Sequence, residues 1–320
     1  MRAVLDAHSR GDLIALRTSG TSGAPRSVVR TTDSWVSSFA HVSKLMSLDA
    51  HARVWVPGPL SSTMNLFAAV HAAYVGVATV ATPDGATHAH LTPSALSRAL
   101  DQHIDLSGVH VVVAGDRLSR TLSERASRAV ARVSHYYGAA ELSFVAWGSH
   151  EANLQPFPEV EVSMCAGIVW ARSPYLCRRY DGPPGPFQRD ADGFATVGDR
   201  GAVVGGFLRV TGRGTGAVTT AGATVQVADV EGALRTAGTG EVVVVGVPHP
   251  TLGAVVAGVL TNAQSLAAAR SVARSELPPS HRPRLWFHVG ELPLTSAGKV
   301  DRGALAEMLV SPGEGVRRLT

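Results

Sequence analysis

Cysteine is nearly absent from this chain: Cys165 and Cys177 are the whole supply in 320 residues. With no CxxC pair and no Cys/His ligand spacing, a disulfide scaffold and a structural zinc site are both excluded. Two reduced, partly buried thiols in a cytosolic protein are expected instead. Aromatic residues are scarce at 6%, so the core is expected to be built from small aliphatic side chains in α/β packing. Lysine is almost missing and no basic cluster is interleaved with aromatics, which argues against nucleic acid as a partner. No apolar run approaches the ~20 residues of a membrane span. The opening "MRAVLDAHSRGDLIAL" carries charges where a secretory signal needs an apolar stretch. The expectation is a cytoplasmic protein that does not enter a membrane.

What is present is 45% hydrophobic residues, 17% charged residues and a net charge of +4. That suffices for a real core, in two domains or one large one. The mild basic balance suits a phosphorylated small molecule. Thirteen histidines are scattered, and "HAH" at 88–90, the one close pair, is expected in a loop, so a zinc site is not expected.

The first two-thirds alternates strand-like and helix-like segments. "DLIALR" reads as a strand, and residues 33–47 set Trp35, Phe39, Val42 and Met46 at helical spacing behind a Thr32/Asp33 cap. "RVWVP", "VATVA", "VHVVVAG" and "RVSHYYG" are further strands. "NLFAAVHAAYVG", residues 93–102 and residues 119–131 are helices between them. Repeated β–α units predict a mainly parallel sheet flanked by helices. After about residue 155 the pattern becomes short strands separated by Gly, Pro and Asp turns. A compact α+β tail follows from about Thr211, across a glycine-rich joint, "TGRGTG". The fold class is therefore α/β, in two domains: 1–211 with the parallel sheet and the short-stranded region, and 212–320 as a small α+β C-terminal domain.

"TSGTSGAPRS" (18–27) follows the first strand and is expected to lead into a helix, where backbone N–H groups are free to meet an anion. It is not a Walker A loop: Pro25 and Arg26 stand where that motif needs glycine and lysine. Its hydroxyls remain, since Thr18, Ser19, Thr21 and Ser22 can donate to phosphate oxygens and Arg26 can pair with them bidentately. Taken alone, the stretch reads equally as a surface turn.

Read with five downstream stretches, this loop resembles the phosphate-binding loop of the adenylate-forming superfamily of acyl-CoA synthetases, adenylation domains and luciferases. The stretches are "YYGAAELS" (136–143), "DGFATVGDRG" (192–201), "GRGTGAVTTAGATVQVADVE" (212–231) and "ELPLTSAGKVDRGAL" (291–305), with "GVPHPTLG" (246–253) between the last two. The resemblance implies an ATP-dependent acid–CoA ligase. It would use Mg²⁺, make an acyl adenylate with release of pyrophosphate, and then pass the acyl group to CoA. Carried residue by residue, it implies that Thr18, Ser19, Gly20, Thr21, Ser22, Gly23 and Arg26 hold the ATP phosphates. Tyr137, Gly138, Ala139, Asp199 and Arg213 would hold adenine and ribose, and Glu141 the Mg²⁺. Gly222 would line the CoA tunnel, Thr215 would be the hinge, and Lys299 would be catalytic, swinging into the cleft to contact the carboxylate and the α-phosphate. Ser61, Ser62 and Met64 fall where the family gates its acyl pocket.

By residue type alone, Glu141 reads equally as a surface acid at a helix start, Asp199 as a turn aspartate and Lys299 as a solvated loop lysine. Tyr136 reads equally as core. The sequence departs from the family at Arg26 (usually lysine), at Ala140 (usually threonine), at Thr215 and Gly216 (usually acidic), and in starting just before the phosphate loop, as a truncated form would. A homodimer is one way to cover a sheet so exposed. Three readings stay open: transfer to CoA, transfer to a carrier-protein thiol or an amine, and a degenerate nucleotide-binding protein with a regulatory role.

Overall fold

The computed structural model describes residues 1–18, 26–213, 216–220, 222–235, 241–295 and 298–320. It divides into two compact units, Met1–Val210 with Ser296–Lys299, and Thr211–Thr295 with Val300–Thr320. In the first unit the elements run α1 (Arg2–Arg10), β1 (Leu13–Thr18), β2 (Arg26–Thr31), α2 (Asp33–Met46), β3 (Arg53–Trp55), α3 (Thr63–Val75), β4 (Ala78–Val80) and β5 (His88–Leu91). They continue through α4 (Pro93–Asp101), β6 (Leu106–Val113), α5 (Arg120–Ala126), β7 (Val130–Ala139), β8 (Ser143–Gly148) and β9 (Gln155–Pro156). Short strands follow: β10 (Glu161–Cys165), β11 (Ile168–Arg172), β12 (Arg179–Asp181), β13 (Gln188–Arg189), β14 (Ala195–Thr196), β15 (Asp199–Val204) and β16 (Phe207–Arg213).

Local chemistry accounts for the helix starts. Thr92 Oγ1 accepts from the Ala95 N–H at 3.2 Å and Pro93 fills the first turn of α4. Ser119 Oγ caps α5 in the same way through Leu122 N–H. At α2 the expected cap takes another form: Thr32 holds the cap position, but its hydroxyl meets His8 Nδ1 at 3.2 Å instead. The apolar stripe of α2 is buried as its spacing predicts, at Trp35, Phe39, Val42 and Met46.

The main sheet has the order β4-β3-β5-β6-β7-β8-β9, parallel from β4 to β7 and antiparallel beyond. Alternation along β6 buries Val111 and Val113 against α4 and α5, while Val112 faces the core that includes Phe67 and Val70 of α3. The short strands form a second sheet, β13-β14-β11-β15-β16 with β10 on β11. A third sheet joins β1, β2 and β12.

Three expectations change. The stretch 19–25 runs between two antiparallel strands, with Thr18 opposite Arg26, and not from a strand into a helix. "HAH" lies in β5, in the middle of the sheet, with both histidines buried. The His88 ring is held by a partner distant in sequence, Met46 O, which accepts from its Nε2 at 3.0 Å and also from His110 Nδ1 at 2.9 Å on the neighbouring strand. Of the thiols, Cys177 is buried, but Cys165 ends β10 and is exposed.

The second unit holds β17 (Ala217–Thr220), β18 (Ala223–Gln226), α6 (Val227–Arg235), β19 (Val242–His249), β20 (Gly253–Leu260), α7 (Leu266–Glu276), β21 (Leu285–Val289), α8 (Arg302–Val310) and β22 (Val316–Leu319). Its sheet runs β18-β17-β20-β21-β22, with β19 also on β20. Along β19, Val242 and Val244 face α6 and α7, while Val243 and Val245 join Leu305 and Leu309 of α8. This sheet is covered on both faces, so β19 reads as an unbroken valine run. Among the described residues no helix is long and apolar enough to cross a membrane.

Candidate active site

The parallel strands β5, β6 and β7 end together, and ligands in open α/β sheets bind at such carboxyl ends. β7 is the longest, and its last residues carry the candidate adenine contacts. Tyr137 Oη donates to Asp199 Oδ2 at 2.8 Å, so two residues 62 apart in sequence meet at the junction of β7 and β15. Asp199 is buried. Tyr136 is half-buried and packs on Trp147 and Phe144 at the edge of the core, with ring centroids at 5.7 and 4.6 Å.

Gly138 is required by the hairpin: a Cβ there would stand 2.1 Å from Ser143 O. The close approach follows from the register shift between Tyr137 and Gly138, where β7 meets β8. Ala139 is the last residue of β7, paired with Ser143. The turn after it carries Glu141, which precedes a strand and is buried, so the surface-acid reading fails. Tyr180 Oη donates to Glu141 Oε1 at 2.8 Å, and the Cys177 N–H donates to Glu141 O at 2.8 Å.

Arg30 lies beneath that turn, fully buried on the same face of β2 as Val28. Its Nε donates to Ser34 Oγ at 2.9 Å, its Nη1 to Ala140 O at 3.1 Å, and its Nη2 to Tyr175 O. Burial pulls its pKa down to about 10, opposed by the charges of Cys177 and Glu141. Burial pushes the Tyr180 hydroxyl well above the usual phenol range and lifts the Cys177 thiol to about 11. Arg30 and Tyr180 escape sequence reasoning. The one signal for Arg30 is strand alternation, which puts it level with the buried Val28; Tyr180 gives none.

The remaining candidates are more dispersed. Thr18 and Arg26 flank the glycine loop, and Thr18 Oγ1 donates to Arg26 O at 3.4 Å. Ser19, Gly20, Thr21, Ser22, Gly23 and Thr215 lie outside the described residues. Arg213 ends β16. Ser61 is exposed, Ser62 is buried at the start of α3 and Met64 is half-buried in its first turn. Gly222 sits exposed in the β17–β18 turn at φ +81°, a conformation that favours glycine. Lys299 groups with the first unit and is half-buried. A Cβ on Gly115, just past β6, would lie 3.6 Å from Lys299 Cε, and one on Gly298 would lie 3.3 Å from Thr92 Oγ1. The lysine thus stands near the carboxyl ends of β5 and β6.

Residues 13–173 match the AMP-binding enzyme family, and residues 229–299 match the AMP-binding enzyme C-terminal domain. YhfT of Bacillus subtilis, an uncharacterized acyl-CoA ligase, is 25% identical over 91% of this chain and 67% of its own length. The fold is similar to ATP-bound MatB from Rhodopseudomonas palustris, with TM-score 0.77, 20% identity and coverage of 93% of this chain and 68% of that one. It is also similar to the o-succinylbenzoate CoA synthetase MenE from Bacillus subtilis in complex with the acyl-adenylate intermediate OSB-AMP, with TM-score 0.71, 20% identity and coverage of 91% and 68%. The chain therefore spans about two-thirds of each of these proteins. Its first match alone takes in half of the sequence, and this chain belongs to the AMP-binding, adenylate-forming enzyme family.

Proposed function

We propose that this chain activates a carboxylic acid with ATP and passes the acyl group to the thiol of coenzyme A. The observation that carries the reading is the Tyr137–Asp199 bond, which joins the candidate base platform to the candidate ribose acceptor. The acyl-CoA ligase name of YhfT and the nucleotides held by MatB and MenE support it.

In the first half-reaction a carboxylate oxygen attacks the α-phosphorus of ATP. The bond to the bridging oxygen breaks and pyrophosphate leaves. In the second, the CoA thiol sulfur attacks the acyl carbon, its proton is lost to solvent, and AMP departs with the electron pair of the cleaved C–O bond. Catalysis of the first step is mainly alignment and charge neutralisation. The stretch 18–23 with Arg26 holds the β- and γ-phosphates. Tyr137, Gly138 and Ala139 pack on the base, while Asp199 and Arg213 engage the ribose. Lys299 neutralises charge on the acid and the α-phosphate as the bond forms. Ser61, Ser62 and Met64 border the acid, Gly222 borders the pantetheine path, and Thr215 is the hinge between regions 1–211 and 212–320.

Among the described residues no three His, Cys, Asp or Glu side chains gather as a metal cage. One buried carboxylate fits Mg²⁺, which takes one or two carboxylates and completes its shell with substrate phosphates and water. Glu141 is that carboxylate. When bound, the ion supplies charge neutralisation at the phosphates.

The test is pyrophosphate release from ATP and Mg²⁺ across a panel of carboxylic acids, with and without CoA, beside Lys299→Ala. Acid-dependent release that turns over only with CoA is expected. Release indifferent to CoA would move the acceptor to a carrier-protein thiol or an amine. Silence across the panel with ATP still bound would defeat the enzyme reading.

A further inference from the structure

We infer that Arg30 and Tyr180 are positioning residues for Glu141, tying both its backbone and its carboxylate to strand β2; this rests on the function proposed above. A guanidinium with no exposed surface is costly to bury, and apolar residues of similar volume often replace buried charges without loss of stability. Among the described residues, the Arg30 donors reach Ala140 O, Tyr175 O and Ser34 Oγ, all around one turn. Ala140 O, which accepts from Nη1, is the carbonyl of the peptide bond to Glu141. Tyr175 O, which accepts from Nη2, lies two residues before Cys177, whose N–H holds the Glu141 carbonyl. Ser34 Oγ fixes the plane of the guanidinium from the first turn of α2.

The carboxylate itself is held from the same strand by another route. Tyr180 belongs to β12, which pairs with β2 through Tyr180 opposite Val28, and its hydroxyl donates to Glu141 Oε1 at 2.8 Å. The Phe187 N–H in turn donates to Tyr180 Oη at 3.2 Å, fixing the hydroxyl. β2 starts at Arg26, directly after the glycine loop. One strand therefore carries Arg26 and, through Arg30 and its pairing with β12, sets the aim of the Glu141 carboxylate.

The experiment measures ATP affinity of the full chain with Mg²⁺ and again with EDTA, for wild type, Glu141→Gln, Arg30→Lys, Arg30→Met and Tyr180→Phe. Melting curves are recorded on the same samples. The quantity read is the gain in affinity that Mg²⁺ gives, because a merely structural role would lower the melting temperature and leave that gain intact. Glu141→Gln should lose most of the gain. Arg30→Lys and Arg30→Met should cut it about tenfold and Tyr180→Phe about threefold, as expected for lost hydrogen bonds around a charged group. Affinity in EDTA should hold. Should an Arg30 variant fail to fold, Tyr180→Phe carries the test, since it removes one hydroxyl and no volume. A full Mg²⁺ gain in the folded variants overturns the inference. A full gain in Glu141→Gln instead removes the metal role of Glu141, which is a failure of the proposed function and is visible separately.

Discussion

Tyr137 Oη donates to Asp199 Oδ2 at 2.8 Å, fixing the end of β7 to the first residue of β15. The acceptor is buried, so the bond lies in a poorly solvated place. Its effect is to lock a ring and a carboxylate into one orientation.

Replacing Asp199 by Ala should remove the proposed ribose acceptor and release the tyrosine together. ATP affinity should fall about 10- to 100-fold, in line with ~1.5–3 kcal/mol for a hydrogen bond to a charged group. Tyr137→Phe keeps the ring and loses only the lock, so its loss should stay below about tenfold. Equilibrium binding of ATP reads both. Unchanged affinity in Asp199→Ala would take this residue out of the nucleotide site.

Lys299 and Lys44 are the two lysines of the chain. Lys44 lies in α2, so Lys299 alone stands at the carboxyl ends of β5 and β6. Lys299→Ala should lower pyrophosphate release at least 100-fold, the scale of losing one preorganised charge-stabilising group. ATP binding should survive, and so should acyl transfer to CoA from a supplied acyl adenylate. Undiminished pyrophosphate release would end the catalytic role given to Lys299.

Buried histidines set the acid limit of stability. Burial holds His71, His110 and His135 down at about 4 and His90 at about 3, and it lowers His88 as well. His90 is surrounded by His71, His88 and His110, while Arg132 opposes charge on His110 and Asp116 favours it on His135. A base with a lowered folded pKa binds its proton more weakly than in the unfolded chain. Its stability contribution is therefore full above the unfolded value near ~6.5 and falls with pH until the folded value is passed. Urea midpoints should hold from pH 8 to 7 and drop steadily from pH 6.5 toward 4. The slope should be on the order of 1 kcal/mol per pH unit for each histidine titrating. Both ring nitrogens of His90 lack a hydrogen-bond partner among the described residues. His90→Leu should therefore raise the midpoint at neutral pH and flatten the acid slope. A parallel, unshifted profile would show that His90 carries none of it.

Where the sequence predicted well, the signal was local. The helix over residues 93–102 and the 35, 39, 42, 46 stripe of α2 depend on neighbours within a turn or two, and both are present. The misses depend on partners far away. "RSVVRT" hides a strand because an arginine stands at its start and another near its end. The buried one is held by acceptors 110 and 145 residues distant. "HAH" looks like a loop until Met46 O supplies an acceptor to a polar ring inside the sheet. Glu141 reads as a helix start because "LSFVAW" is apolar without alternation, a pattern that a short buried strand shares with a helix. Of the candidate site, residue types were legible through family motifs, while the Tyr137–Asp199 and Tyr180–Glu141 pairs were not. Nothing in a linear chain joins β7 to β15 or β12 to the turn after β7.

The second unit holds its own buried charge, and removing one partner should be costly. Glu231, in α6, is buried and accepts from Arg302 Nη1 at 2.5 Å and Nη2 at 3.1 Å, from Arg235 Nη2 at 3.2 Å, and from the Val244 N–H at 2.8 Å. Arg302 Nη1 also donates to Val244 O at 2.9 Å, so one pair joins α6, β19 and the start of α8. Arg302→Met would strip two hydrogen bonds from the buried carboxylate, although the guanidinium itself is 38% exposed. The expected cost is about 1.5–3 kcal/mol of stability, the range for hydrogen bonds to a charged group. Glu231→Gln should cost less than Glu231→Leu, since the amide still offers an oxygen to the Val244 N–H and to Arg302. Arg302 lies three residues after Lys299, and Asp301 between them caps α8 through the Ala304 N–H at 3.0 Å. The network thus anchors the start of α8 to α6 and β19. Urea denaturation of the three variants orders them. Equal midpoints for Glu231→Gln and Glu231→Leu would show that packing, and not the hydrogen bonds, supplies the anchor.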